Sequence, residues 1–434
     1  MDRYFLLFLV IGLVSANSLL GNDQQKWGHI KIRDHAHMFY WLYYTTAGVE
    51  NYRDRPLVIW LQGGPGASST AFGNFAEIGP LDIELNPRNS TWVKNVNVLF
   101  VDNPVGTGFS YVEKTKSLTK NNREIAEDFL IFLNDFYEQN PEFKSTPLYI
   151  FSESYGGKMT VEIALVLSQA ITNGKIECNF KGIGLGDAWI SPVDTVMSWA
   201  PYLLQLGAID QNGYDVIEDM ANKTKKAFEN GKYQEATSLW GQTEGAITEV
   251  TSGIDFYNVL AKVRPLPKDV DVRGLLFKPE GTFEPINENK LESLMKNNVS
   301  VALNVTNEWG AQNGEVFLFL WQDFMKPATS IVEELLNTTD IRIAIFNGQL
   351  DLIVDTPGTV NWVDKLQWVG SKQWKESERE VFSINGINEG YVRKQDNLAF
   401  YWVNRAGHMV PSDNTAAMDY ILRDITNDFK SNLL

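Results

Sequence analysis

Three residues far apart in the chain are of the types that together make an activated nucleophile. Ser154 lies in Ser152-Glu153-Ser154-Tyr155-Gly156-Gly157, Asp351 in Asn347-Gly348-Gln349-Leu350-Asp351, and His408 in Ala406-Gly407-His408. A serine hydroxyl is a poor nucleophile until a fixed base takes its proton, and an imidazole becomes that base when a carboxylate holds its tautomer and orientation. The chain order Ser, Asp, His and the small residues around Ser154 fit a strand–turn–helix nucleophile elbow, with Ser152 in place of the leading glycine. Attack on a carbonyl builds an oxyanion, which needs N–H groups aimed at it. The run Gly63-Gly64-Pro65-Gly66 offers one such donor, and Tyr155, next after the serine, offers another.

Those residues need elements to hold them. Short apolar runs at 57–61, 96–101, 148–151, 182–185, 341–346 and 398–403 predict buried strands, each ending in small or polar residues. Helical periodicity at 125–137 and 158–171 falls between strands. Strand and helix in alternation predict an α/β fold with a mostly parallel, helix-covered sheet, and sites in such sheets form at the carboxyl ends of strands. Residues 37–44 and the run from Arg55 look like sequential, antiparallel strands, so a mixed sheet is expected. Between 191 and 334 Lys, Glu, Asn and Gln become frequent and strand-like runs fade, while 215–229 and 289–295 look like surface helices. The expected layout is a leader over 1–16, core over 17–190, a mostly helical insertion or lid over 191–334, and core again over 335–434.

Composition narrows the class. The 434 residues are 44% apolar, with 24 Phe, 16 Tyr and 13 Trp, which is ample for a large core. A net charge of −16 with no basic face excludes a nucleic-acid binder. Met1-Asp2-Arg3, an apolar run over 4–14 and Ser15-Ala16 make a signal peptide, too short to span a bilayer. Sequons at Asn89, Asn222, Asn298, Asn304 and Asn337 agree with the secretory route and predict glycosylation. The chain has one cysteine, Cys178, so an intrachain disulfide is impossible; a buried small hydrophobe is the expected role. His35 and His37 would share a strand face but lack further ligands nearby, and no metal or organic cofactor is expected.

Five longer motifs carry a family resemblance. They are Trp60-Leu61-Gln62-Gly63-Gly64-Pro65-Gly66-Ala67-Ser68-Ser69, Asp102-Asn103-Pro104-Val105-Gly106-Thr107-Gly108-Phe109-Ser110-Tyr111, Glu153-Ser154-Tyr155-Gly156-Gly157, Phe346-Asn347-Gly348-Gln349-Leu350-Asp351 and Gly407-His408-Met409-Val410-Pro411. Through them the chain resembles the serine carboxypeptidases, and most closely their retinoid-inducible branch. The resemblance implies an α/β-hydrolase fold and stepwise removal of C-terminal residues from peptides in an acidic, secreted or lysosomal setting. It makes Ser154 the nucleophile, Asp351 the orienting acid and His408 the base, with Gly64 and Tyr155 as oxyanion-hole donors. It also implies that Trp60, Gln62, Glu77 and Glu153 receive the substrate's terminal carboxylate. Three positions depart from the family's pattern: Gln62 replaces an Asn, Ala67 a Cys, and Gln349 an Asp.

A substrate carboxylate cannot sit beside two ionised glutamates. If Glu77 and Glu153 are close and buried, their pKa values rise, and the protonated acids can donate to the substrate. Tighter peptide binding at acid pH is therefore expected. Two other functions use the same residues differently: acyl transfer to an alcohol, and a hydrolase-fold binding protein that does no chemistry.

Overall fold

The computed structural model describes residues 24–263, 288–311 and 313–426. The leader expected over 1–16 lies outside them. The strands are β1 (Gln25–Arg33), β2 (Ala36–Tyr43), β3 (Leu57–Leu61), β4 (Asn97–Val101), β5 (Tyr111–Val112), β6 (Leu148–Glu153), β7 (Phe180–Gly186), β8 (Arg342–Gly348), β9 (Glu380–Ile384), β10 (Ile387–Gln395) and β11 (Leu398–Val403). They form one sheet in the order β1-β2-β4-β3-β6-β7-β8-β11-β10-β9, with β5 pairing to β2. From β4 to β11 the pairings are parallel; β1, β2, β10 and β9 add antiparallel edges.

The expected antiparallel relation of β2 and β3 holds, through a strand between them. β2 and β3 follow each other in sequence but do not pair, because β4 lies between them and is antiparallel to β2 and parallel to β3. β3 is a central strand, and its unbroken apolar run suits burial on both faces. Leu57, Ile59 and Leu61 join one core cluster and Val58 and Trp60 the other, as the two-residue period of a strand requires.

The first cluster packs against α1 (Asn122–Gln139) and α2 (Tyr155–Thr172). α1 buries Ile125, Phe129, Phe132, Leu133 and Phe136 on one face, and the Asn121 side chain accepts from Glu124 N to cap its start. The second cluster packs against the turn of π-helix Ser69–Ile78 and the helix Thr415–Thr426. Between β7 and β8 come α3 (Pro192–Leu206), α4 (Gln211–Glu229), α5 (Tyr233–Thr251), α6 (Gly314–Phe324) and α7 (Thr329–Thr338). The Phe324 ring of α6 stacks on Trp189 at 5.2 Å and on Tyr155 at 5.8 Å, fastening these helices to the core beside the elbow.

Candidate active site

Ser154 sits between β6 and α2 at φ 60 and ψ −130. A non-glycine residue rarely adopts that backbone, and the strain is held by Ser154 N donating to Gly186 O and Trp189 N donating to Ser154 O, each at 2.9 Å. Gly63 lies so near that a β-carbon there would strike the Ser154 side chain. The glycine loop after β3 is thus pressed against the serine, and Gly64 follows at once. Tyr155 opens α2, so its N–H is among the first-turn donors that a helix leaves without an internal partner.

Asp351 follows β8 and His408 follows β11, on the same carboxyl edge as Ser154. His408 Nδ1 donates to Asp351 Oδ2 at 2.8 Å, and both residues are buried. Val354 N donates to Asp351 Oδ1 at 3.3 Å. The two loops touch where Gly348 meets the Gly407 carbonyl, a place with no room for a side chain. His408 N donates to Tyr257 O at 2.7 Å, while Leu352 N and Ile353 N both donate to Phe256 O. The Tyr257 ring meets the imidazole edge-on at 5.1 Å. These partners, which follow α5, carry no sequence signal because the bonds run through main-chain carbonyls.

The second half of the site is acidic. Gln62, Glu77 and Glu153 are all buried. Trp60 Nε1 donates to Gln62 Oε1 at 2.8 Å, which turns Gln62 Nε2 toward Glu153 Oε1 at 3.0 Å. Neither oxygen of Glu77 meets an N–H donor, nor does Glu153 Oε2. The two carboxyls face each other instead. Burial pushes Glu77 up to about 7. Burial first, then the Glu77 charge, holds Glu153 well above the usual carboxylate range. Trp60 is fully buried, with its N–H on the Gln62 side chain.

Three residues missed in the sequence complete the site. Asp102, at the end of β4, accepts from Thr70 N, Thr70 Oγ1, Ser68 Oγ and Phe109 N at 2.9–3.0 Å, anchoring the helix that carries Glu77. Lys158, one turn after Ser154, donates to the Phe324 carbonyl at 3.1 Å and pairs with Asp323 Oδ2 at 3.7 Å; burial lowers it to about 8. Asp187, just after β7, lies beside Asp351. The available signal for Asp102 and Asp187 was their place at strand ends. Among the described residues, Asp187, Asp351 and His408 are the one group whose oxygen and nitrogen atoms are close enough to hold a cation; here those atoms engage one another.

Elsewhere, Asn89, Asn222, Asn298, Asn304 and Asn337 are all exposed. Cys178 is half-buried, and burial pushes its thiol up to about 11. His35 and His37 both turn to Glu113, at 2.7 and 3.2 Å. No helix among the described residues is long and apolar enough to cross a membrane.

Comparison with known proteins gives the family. Residues 17–428 match the family model described as serine carboxypeptidase. A retinoid-inducible serine carboxypeptidase of Rattus norvegicus is 42% identical over 94% of this chain and 93% of its own length. That of Homo sapiens is 43% identical over 95% and 94%. Serine carboxypeptidase-like 51 of Arabidopsis thaliana is 37% identical over 93% and 92%. Among solved structures, a prohormone-processing carboxypeptidase from Saccharomyces cerevisiae superposes with a TM-score of 0.76 at 23% identity, covering 93% of this chain and 91% of that one, which shows the shared fold. With its α/β-hydrolase sheet and this breadth of similarity, the chain belongs to the serine carboxypeptidase family.

Proposed function

We propose that this serine carboxypeptidase releases C-terminal residues from peptides at acid pH through an acyl-enzyme on Ser154. The observation that carries the reading is the His408–Asp351 hydrogen bond of 2.8 Å on the strand edge that also holds the strained Ser154. Ser154 Oγ attacks the last peptide carbonyl as His408 Nε2 takes its proton. The Gly64 and Tyr155 N–H groups receive the oxyanion. His408 then returns the proton to the departing amine, and water, activated in the same way, hydrolyses the ester.

Gln62, Glu77 and Glu153 receive the terminal carboxylate of the substrate, with Trp60 fixing Gln62. A carboxyl pair that shares a proton can donate to an anion, which an ionised pair would repel. Binding therefore weakens as pH rises through the pair's titration. The helices between β7 and β8 act as a lid over the cleft. Exposed asparagines at five sequons and the N-terminal leader pattern together support a glycosylated protein of the secretory route, lysosomal or extracellular.

The test compares the mature protein with Ser154→Ala on peptides at about pH 5, with products read by mass spectrometry. Stepwise loss of C-terminal residues by the first and none by the second is expected, a fall on the order of 10⁴-fold or more. Identical product spectra would sink the reading.

A further inference from the structure

A hydrolase that works in acid needs its histidine neutral there, yet an ionised aspartate beside that histidine favours the imidazolium. The structure places a second carboxyl behind the first. Asp187 is fully buried, held at φ 42, and its Oδ1 accepts from Gly348 N at 2.8 Å. Its remaining oxygen, Oδ2, meets no N–H or hydroxyl donor. Its carboxyl atoms lie within 4.8 Å of the ligand atoms of Asp351 and His408. Two carboxyls this close and this deeply buried do not both ionise.

We infer that Asp187 is a fourth, positioning member of the catalytic constellation: it keeps a proton and donates it as a hydrogen bond to Asp351, so that His408 stays available as a base in acid. The inference rests on the triad reading above. Asp351 already receives His408 Nδ1–H and Val354 N–H, and it must be the anion of the pair to orient the imidazole. The proton therefore resides on Asp187. Burial first, then the Asp351 charge and the hydrogen bond to it, hold Asp187 well above the usual carboxylate range, and Asp413 adds to the effect. Glu153 faces the same cluster from the end of β6. The groups facing the pair are thus Asp413, Glu153, Asp255, Asp355 and Tyr202, with His408 as the one group among the described residues that can become cationic in contact. An Asp351 that shares its charge with the Asp187 proton attracts an imidazolium less strongly than a bare carboxylate does. The strained backbone at Asp187 is consistent with a position kept for placement of the side chain.

The experiment measures kcat/KM against pH for wild type, Asp187→Asn, Asp187→Ala and Ser154→Ala. The substrate is a p-nitrophenyl ester without a free carboxylate, so that Glu77 and Glu153 do not shape the profile. Asp187→Asn retains a neutral donor to Asp351 and an acceptor for Gly348 N–H, and its acid limb stays with that of wild type. Asp187→Ala leaves Asp351 with its full charge. Its acid limb moves up by about one pH unit, which is about a tenfold loss on that limb and little loss at neutral pH. The change falls on kcat more than on KM. A purely structural role would lower both variants' activity by the same factor at every pH and overturn the inference, as would an unmoved acid limb in Asp187→Ala. Activity surviving in Ser154→Ala would instead overturn the triad reading itself. Thermal unfolding of each variant separates misfolding from a shifted profile.

Discussion

Asp102, at the end of β4, and Glu77, within the helix Ser69–Ile78, face opposite ends of that helix and are 0% and 2% exposed. Asp102 sits before its first turn with four hydrogen-bond donors converging on the carboxylate. Glu77 sits in its last turn with neither oxygen met by an N–H donor. Burial raises both, Asp102 to about 6 and Glu77 to about 7. The lesson is that depth alone does not tell a structural carboxylate from a receptive one; the supply of donors does. A saturated acid is part of the frame, and an acid with unmatched oxygens has capacity left for a ligand.

That contrast can be broken in order of effect. Asp102→Ala should be the most damaging change. It strands four donors in the interior and frees the glycine loop from the β4 loop, so the unfolding free energy should drop by about 3–5 kcal/mol in denaturant titrations. A drop below about 1 kcal/mol would show that the network is dispensable.

Glu77→Ala should do the reverse, costing less stability than Asp102→Ala while lowering kcat/KM for peptides with a free C-terminus by about 10–100-fold, as loss of a hydrogen bond to a charged group predicts. Hydrolysis of a C-terminally blocked ester should be spared. Equal losses on both substrates would place Glu77 in the acyl-transfer half of the site.

The pH dependence of stability sharpens the contrast further. Glu77 is raised from its ordinary value of 4.5 to about 7. A carboxyl raised by folding contributes its stability in full below the unfolded value and loses it as pH climbs through the folded one. Wild-type thermal midpoints should therefore fall as pH rises from 4.5 toward 7 and beyond, and Glu77→Gln should flatten that decline. Asp102 has the same sign over the narrower window from 3.8 to about 6 and keeps a residual slope in the variant. A variant curve parallel to that of wild type would refute the assignment of the window to Glu77.

Gln62→Asn should have the smallest effect. The shorter amide would still accept from Trp60 or still donate to Glu153, losing one bond of the two. A rise in KM of about two- to tenfold with kcat nearly unchanged is expected from steady-state kinetics. An unchanged KM would mean that the extra methylene has no part in recognition.

The parts of this molecule that were legible in the sequence are those written locally. The run over 398–403 became β11 with the same bounds, and the strand-end serine, aspartate and histidine lie on one edge because the parallel order places them there. Edge strands were harder. β1, β9 and β10 went unpredicted, since half-exposed strands mix polar and apolar residues and give weak alternation. The insertion of β4 between β2 and β3 was not legible, because neighbours in sequence are not always neighbours in a sheet. Glu77 gave no sign of lying in a helix, and its turn is a π-helix without a regular 3.6 period. Asp187 was visible only as a strand-end residue, and Asp102 as a strand-end residue opening one of the five motifs without an assigned role. Their partners are distant in the chain, with Asp187 and Gly348 separated by 161 positions, so only the folded sheet could pair them. The hydrogen bond from Trp60 to Gln62, two residues apart at a strand end, was likewise not legible in the sequence.

The segment after α5 grips the His408 and Asp351 loops through the carbonyls of Phe256 and Tyr257. The grip is made of main-chain bonds, with the Tyr257 ring adding an edge-on contact to the imidazole. Because that segment lies in the connection from β7 to β8, any rearrangement of the connection is transmitted to both loops through backbone bonds. The helices of the insertion and the His408–Asp351 pair are in this sense one mechanical part.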